Sequence, residues 1–233
     1  MKTKKRKLNI KKMFILILFL YLIGCSSYYV YKKPIQNIII TGNVYVKDVQ
    51  IIELAKIKDY PSIFSINIKN MQKSIKKEPM IDEVLIKRNL KFQLKINITE
   101  AKMVLLNTSN NNLILSNGKS IPNTYNYQGI PTLINYTSEK VLKKFSLGLG
   151  EVDLGIIGLI NEIEYSPTMS EEGVSLDEER FILYMNDGNT VYTNAEKCST
   201  LNHYKEIYAS LNGKKGILNL DSGNSENFVF TSY

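Results

Sequence analysis

Residues 13–31, reading MFILILFLYLIGCSSYYVY, form an uncharged and mostly apolar run, and this run constrains the chain more than any other feature. At about 1.5 Å per residue, a helix of this length spans about 30 Å, the thickness of a bilayer's hydrocarbon core. Seven cations and no acid precede it. The positive-inside bias therefore predicts that residues 1–12 are cytoplasmic, that residues 13–31 cross the membrane, and that the remaining chain lies outside.

A second interpretation of the same run stays open. Leu22-Ile23-Gly24-Cys25 resembles the lipobox of bacterial lipoproteins, in which Cys25 would carry the lipid after cleavage of a signal peptide. Both interpretations predict that the rest of the chain is displayed outside the membrane and tethered to it.

The net charge of +8 is concentrated at the N-terminus. Residues 1–33 hold nine of the 30 cations and no acid, so the remaining 21 cations face 22 acids and nucleic acid is excluded as a partner. Within that remainder, residues 34–105 have 12 cations against seven acids, whereas residues 106–233 have nine against 15. The shift predicts two domains, 34–104 and 105–233, with the basic one suited to lie beside anionic headgroups.

The first domain shows short elements in the order strand, helix, helix, strand, strand. Asn67 or Asn70 is expected to cap the second helix, which should bury Met71 and Ile75 and stop before Pro79. Phe92, Leu94, Ile96 and Ile98 alternate with polar residues, as in a strand with one buried face. The predicted strands are 35–40, 81–88 and 91–99, and the first helix is 46–55.

The second domain is predicted to be a mixed, mostly antiparallel β domain with flanking helices, which makes the whole chain α+β. Helices are expected at 138–145 and 149–160, and a hairpin should join 181–185 to 190–193 through Asp187-Gly188. A further amphipathic helix is indicated by the spacing of Leu201, Tyr204, Tyr208 and Leu211, and it should end near Asn212-Gly213.

No residue pattern in the chain is typical of catalysis, a metal or a cofactor, and we expect none of the three. With Cys25, Cys198 and one histidine, a disulfide framework or a multi-histidine metal site is excluded. We interpret His203 as an exposed surface residue and Cys198 as a buried thiol. The acid pairs Glu162 with Glu164 and Glu178 with Glu179 are interpreted as solvated side chains rather than a glycosidase pair.

Several weak motifs occur in a fixed order along the chain. In the first domain they are residues 38–43 (IIITGN), 62–67 (SIFSIN), 84–88 (VLIKR) and 98–103, where Glu100 is present but an expected Arg and Pro are not. In the second domain they are residues 116–119, 130–133, 160–163, 186–191 and 215–220. Together these segments resemble the DivIB/FtsQ family of bacterial cell-division proteins, in which a POTRA domain precedes a C-terminal β domain.

The resemblance implies a non-enzymatic scaffold at the division septum that helps assemble or regulate septal peptidoglycan synthesis. It implies that the far end of the second domain binds small bitopic proteins of the DivIC/FtsB and FtsL kind, with a septal penicillin-binding protein as a further partner. The alternative function is that of a surface lipoprotein lipidated at Cys25, or a small cell-wall-associated enzyme.

The C-terminal end is also the best binding site on physical grounds. Two short apolar runs, 216–220 and 227–230, end the chain, and the last strand of a sheet is often an edge with unpaired backbone groups. Alternation sends about half of the side chains inward. The candidate partner-binding residues are Leu218, Leu220, Phe228, Val229 and Phe230.

Overall fold

The computed structural model describes residues 9–89, 91–124, 127–169, 175–221 and 228–233. The chain divides into two compact units, Met1–Thr99 and Glu100–Tyr233. Most of the predicted cytoplasmic tail and the Ser222–Ser225 connection lie outside the described residues.

Helix α1, Ile10–Lys32, is 23 residues long and its most apolar stretch has a mean hydropathy of 2.1. Asn9 caps it by accepting a hydrogen bond from the backbone N–H of Lys12. Its apolar side chains are exposed, which in a bilayer is the lipid-facing arrangement. The helix confirms the predicted apolar segment and fits a single-pass membrane protein.

The rest of the first unit packs two helices on one face of a three-stranded sheet. The sheet order is β1-β3-β2, with β1 parallel to β3. Asn67 is the N-cap of the second of these helices, and Met71 and Ile75 are buried as predicted. The elements are β1 Asn37–Thr41, α2 Asp48–Ala55, α3 Ile68–Ile75, β2 Ile81–Arg88 and β3 Gln93–Glu100.

The second unit is built on a nine-stranded sheet, counted over the described residues, in the order β14-β13-β12-β11-β8-β7-β4-β5-β6. Three neighbouring pairs, β12–β13, β4–β7 and β7–β8, are parallel and the others antiparallel, so the predicted mixed, mostly antiparallel domain is confirmed. Two short strands, β9 and β10, pair with each other. The strands are β4 Met103–Asn107, β5 Asn112–Leu115, β6 Ser120–Pro122, β7 Thr132–Leu133, β8 Ile160–Tyr165, β9 Thr168–Met169, β10 Ser175–Asp177, β11 Arg180–Met185, β12 Thr190–Asn194, β13 Gly216–Asn219 and β14 Val229–Ser232.

One face of this sheet, the core face, is covered by helices. Phe145 of α4 stacks on Phe181 of β11 with ring centroids 3.7 Å apart, and Leu201, Tyr204 and Ile207 join the same apolar cluster. The opposite face is called the outer face below. The covering helices are α4 Glu139–Gly150, α5 Leu154–Ile157, a 3₁₀ helix Cys198–His203 and α6 Tyr204–Ser210.

The predicted helix at 149–160 is wrong. Helix α4 runs through Gly148 to Gly150, and only the single turn α5 follows before β8 starts at Ile160. A Cβ at Gly148 would lie 2.3 Å from the Ala195 carbonyl oxygen, and one at Gly150 would lie 2.8 Å from the Ser116 Cβ. Both glycines therefore lie in the last turn of α4 at places where neighbouring residues approach too closely for a side chain.

The helix predicted around Leu201 is confirmed in part. Leu201 lies in the 3₁₀ helix and Tyr204 opens α6, and both are buried. The predicted end is confirmed, because Asn212 and Gly213 have left-handed φ angles of 50° and 78° directly after the helix.

Candidate partner-binding site at a sheet edge

Strand β14 lies at one edge of the nine-stranded sheet as described, paired on one side with β13. The pairing is antiparallel and places Phe230 opposite Leu218 and Val229 opposite Asn219. The sequence interpretation, that the last element is an edge, agrees with this order.

The backbone of β14 has one bonded side and one open side. The N–H of Tyr233 donates to the Lys215 carbonyl oxygen at 3.1 Å, which makes Tyr233 and Lys215 a hydrogen-bonded pair. Because such pairs alternate along an antiparallel ladder, Val229 and Thr231 also bond to β13. The N–H and C=O groups of Phe230 and Ser232 therefore point away from the sheet, where another strand could pair with them.

The five predicted side chains divide into three groups. Leu218 and Leu220 are buried in the core, with 1% and 7% of their surface exposed. Phe230 is half-buried against the core cluster. Phe228 and Val229 are 41% and 54% exposed, so these two are the apolar side chains that a partner can reach at this edge.

The outer face beside β14 adds residues that were missed from the sequence. Strand register places Val229, Asn219, Tyr192 and Ile182 in one row across four strands. The Arg180 guanidinium lies over the Tyr192 ring at 4.1 Å. Alternation along each strand could have indicated this row, but the order of the strands could not be read from the sequence.

Two features fix the edge in place. A Cβ at Gly216 would lie 2.1 Å from the Thr231 carbonyl oxygen, so β14 reaches its position only over a glycine. The Tyr233 and Thr190 hydroxyls lie 2.7 Å apart and join the chain's last residue to β12. The site is therefore held by β13 and β12 together.

A buried polar network supports the start of β13. The Gly216 N–H donates to Asn189 Oδ1 at 3.0 Å, and Asn189 Nδ2 donates to the Tyr204 hydroxyl at 3.2 Å. That hydroxyl donates to Asp187 Oδ2 at 2.6 Å. Burial and this hydrogen bond raise the pKa of Tyr204, which stays a neutral donor. The predicted Asp187-Gly188 hairpin thus also positions β13.

The residues considered for chemistry have structural surroundings. Cys198 is buried, and burial raises the pKa of its thiol, which makes it a poor nucleophile. His203 is exposed and its Nδ1 lies 3.2 Å from Glu206 Oε2. Glu164 accepts a hydrogen bond from the Tyr184 hydroxyl at 2.6 Å, which with burial raises the pKa of Tyr184 to about 12.

Glu179, another acid considered for catalysis, has a basic partner. Glu179 pairs with Lys144, and the hydrogen bond between them raises the pKa of that lysine. Across the described ranges, no three His, Cys, Asp or Glu side chains gather in a way that could hold a metal ion.

Comparison with known proteins found a matching family model and several similar chains. The model of the family "POTRA domain, FtsQ-type" matches residues 33–101. Cell division protein DivIB of Geobacillus kaustophilus is 24% identical over 94% of this chain and 85% of its own length. The DivIB proteins of Bacillus subtilis (27%, 94% and 83%) and Listeria monocytogenes (26%, 100% and 85%) are similar to the same extent. The solved extracytoplasmic domain of Geobacillus stearothermophilus DivIB (trans isomer) is 25% identical, with a TM-score of 0.39 over 49% of this chain and 96% of that domain.

An FtsQ-type POTRA domain followed by a mixed β domain defines a POTRA-domain protein, and its apolar N-terminal helix fits a single-pass membrane anchor. Within that class, this chain carries an FtsQ-type POTRA domain and is similar along most of its length to the DivIB cell-division proteins of Gram-positive bacteria named above.

Proposed function

We propose that this chain is a non-enzymatic scaffold of the cell-division machinery. It binds small bitopic division proteins of the DivIC/FtsB and FtsL kind at the β14 edge and so helps assemble or regulate septal peptidoglycan synthesis. The observation that carries the proposal is the open backbone of β14 with Phe228 and Val229 exposed beside it. Similarity to proteins named as cell division proteins supports the cellular role.

An open edge of this kind suits a partner that contributes a strand. The outward N–H and C=O groups of Phe230 and Ser232 supply main-chain hydrogen bonds to an added strand. Phe228 and Val229 supply apolar contact area, and aromatic residues such as Phe are enriched at protein interfaces. The outer-face row ending at Val229 extends the surface toward Tyr192, where a helix of the same partner can pack.

In this proposal, the β14 edge lies outside the membrane. Residues 1–12 remain in the cytoplasm, residues 13–31 anchor the protein, and residues 34–104 form the POTRA domain. Residues 105–233 then display the partner site, with the septal penicillin-binding protein recruited through the complex. The basic N-terminal flank and the length of α1 support this topology.

The direct test is co-purification of the full-length protein with a DivIC-like partner from membranes. Phe228→Asp and Val229→Asp each place a charge in the proposed apolar contact, and each should weaken binding about 30-fold or more, the loss typical of a hot-spot residue. Phe230 is less suitable, because its side chain also packs on the core.

Leu154→Asp is the matched control. Leu154 is 57% exposed, against 54% for Val229, but it lies on α5. Binding by the Leu154→Asp chain should equal that of the unmodified chain, and circular dichroism should show all three variants folded. Equal binding by folded Val229→Asp and Phe228→Asp chains would refute the interface.

The alternative as a surface lipoprotein rests on residues 22–25 and has its own test. The mass of the membrane-extracted protein should show that residues 1–24 are retained. A mature chain beginning at a diacylated Cys25 would replace the helical anchor with a lipid. A fluorescent fusion should concentrate at the division site, whereas a generic lipoprotein spreads around the envelope.

A further inference from the structure

We infer that two loops of the POTRA unit form a second membrane-contact surface, which binds the anionic phospholipid headgroups around α1. The loops are residues 56–67, between α2 and α3, and residues 91 and 92, directly before β3; together they are called the anchor-side loops. The inference rests on the proposed membrane anchoring by α1 and adds a lipid ligand and an orientation to it.

Backbone contacts place both loops at the end of α1 where the chain leaves the helix. The Ile63 N–H donates to the Lys33 carbonyl oxygen at 3.4 Å, and the Ser62 hydroxyl donates to the Tyr31 carbonyl oxygen. The Gln36 N–H donates to the Phe92 carbonyl oxygen at 2.8 Å. A helix that ends at the membrane surface therefore holds these loops at the same level.

Aromatic rings cluster at this junction. Phe64 stacks on Tyr31 with centroids 6.4 Å apart, and Phe92 meets Phe64 edge-on at 6.1 Å. Phe64 is still 44% exposed and Tyr60 is 50% exposed. Aromatic side chains at the end of a membrane helix favour the headgroup region, because their rings are apolar but tolerate the polar boundary.

The backbone of the anchor-side loops is strained at two of these rings. Tyr60 has a φ of 47° and Phe92 a φ of 58°. Bulky residues seldom adopt left-handed φ angles, so the backbone is strained at these two positions. The Tyr60 N–H donates to the Ile57 carbonyl oxygen and the Phe92 N–H to the Asn89 carbonyl oxygen, so local turns fix where these two rings lie.

The same surface is positively charged. Lys33 Nζ lies 4.3 Å from the centre of the Phe92 ring, and Lys58 and Lys91 are exposed. In the described parts of the chain, no carboxylate lies within 4.0 Å of the Lys58 or Lys91 ammonium groups. Asp59 is the one acid in residues 56–69.

A groove of about 680 Å³ beside the loops is also positively charged. Pro61 and Ser65 line its loop end, and its charged lining residues are Lys56, Lys73 and Lys77 without a carboxylate. Phosphodiester headgroups supply the negative charge that these ammonium groups lack, and each lysine near an anionic surface strengthens binding about fivefold. Exposed rings and unpaired cations at the end of a membrane helix therefore fit an anionic lipid surface.

The chain contains no tryptophan, so a single introduced tryptophan reports on its own position. The full-length Phe64→Trp protein is reconstituted in phosphatidylglycerol-containing vesicles whose acyl chains carry bromine, which quenches tryptophan on contact. We expect strong quenching of Trp at 64, and Phe92→Trp repeats the measurement from the second loop. Val44→Trp is the matched control, because Val44 is 82% exposed and lies at the opposite end of β1.

A Tyr21→Trp chain separates this inference from the proposed anchor. Tyr21 lies within α1, so a tryptophan there should be quenched in every vesicle. If Tyr21→Trp is quenched while Phe64→Trp and Phe92→Trp behave like Val44→Trp, the anchor stands and the second contact surface is refuted. If Tyr21→Trp is not quenched, the anchor itself fails.

The lysines are tested in the Phe64→Trp background. The Lys58→Gln/Lys91→Gln double variant should lower the ratio of docked to undocked loops about 25-fold with phosphatidylglycerol, from about fivefold per lysine. The Lys205→Gln/Lys214→Gln double variant loses the same charge from the second unit and should leave quenching unchanged. Quenching in the Phe64→Trp chain could be the same with and without Lys58 and Lys91, and the same in vesicles without phosphatidylglycerol. That result would show a contact made by tethering alone and would overturn headgroup binding.

Discussion

The two edge strands of the nine-stranded sheet, β14 and β6, both have backbone groups without a neighbouring strand to bond to. They differ in how many of these groups an added strand could use. By the hydrogen-bonding pattern, β6 has Ser120 and Pro122 pointing outward, because the Asn123 N–H bonds to the Asn111 carbonyl oxygen on the inner side. Proline has no N–H, so β6 offers one outward donor, whereas β14 offers those of Phe230 and Ser232. Short length and proline are common protections of an edge, and β14 lacks the proline.

By this difference, we expect the sheet to accept an added strand at the β14 edge and not at the β6 edge. Val229 and Phe228 beside the open end are exposed, and the residues under both ends, Leu218 and Leu113, are buried. Stability is therefore expected to depend equally on both ends, and partner binding on one.

The largest effect should come from the buried supports. Leu218→Ala and Leu113→Ala should each lower the free energy of unfolding by about 2–5 kcal/mol, since each removes a fully packed side chain. Chemical denaturation measures both. Only Leu218→Ala should also weaken partner binding. If Leu113→Ala weakens it as much, the two ends do not differ in function.

A proline pair tests the two sides of β14. Ser232→Pro removes an outward N–H and should abolish strand addition while changing stability by about 0.5 kcal/mol or less. Thr231→Pro removes an N–H that bonds to β13 and should cost about 1–3 kcal/mol. Binding and thermal unfolding are measured together, with Ser232→Ala as the control for loss of the hydroxyl. Full binding by Ser232→Pro would mean that the partner does not use the backbone edge.

The protection of β6 can be removed by one substitution. Pro122→Val restores an outward N–H and should produce concentration-dependent self-association through this edge. Light scattering after size exclusion measures the mass, and Ile121→Val serves as the control on the inner side of the strand. A monomer mass at every concentration would indicate that length alone protects β6.

The smallest effect concerns the outer face of the β14 half. The hydrogen bond to Glu164 and burial raise the pKa of Tyr184 from 10.0 to about 12. A raised pKa means that the folded state favours the neutral phenol, so this stabilisation is complete below pH 10 and is lost as the pH rises toward about 12. Ultraviolet titration should show that one of the late-ionising tyrosines ionises at lower pH in Glu164→Gln. An unchanged titration would contradict the assignment.

Local chemistry made much of the fold predictable. The alternation of Leu94, Ile96 and Ile98 identified β3 and its buried face, although the predicted strand residue Phe92 lies before β3 with a left-handed φ. Asn67, one of the two expected caps, begins α3. Asp187-Gly188 likewise indicated the β11–β12 hairpin. In each case the deciding interaction lies within a few residues, so the sequence contains it directly.

The predictions that were wrong or incomplete depend on contacts between residues distant in sequence. The helix predicted at 149–160 was wrong, and the glycines Gly148 and Gly150 instead allow close contact with Ala195 and Ser116, which are remote in sequence. The sequence indicated five residues for the candidate site but not which of them face inward. Burial of Leu218 and exposure of Val229 follow from the pairing with β12 and β13 and from the helices on the core face.

By itself, the sequence determined the apolar helix, the order of the POTRA elements and the presence of two apolar strands at the C-terminus, because periodicity, charge and turn residues are local properties. Only the tertiary structure decided that β13 joins β12 in parallel and leaves β14 at an edge, and that the anchor-side loops meet the end of α1. Both depend on which distant segments pair, and pairing is set by burial of the whole core and not by any single segment.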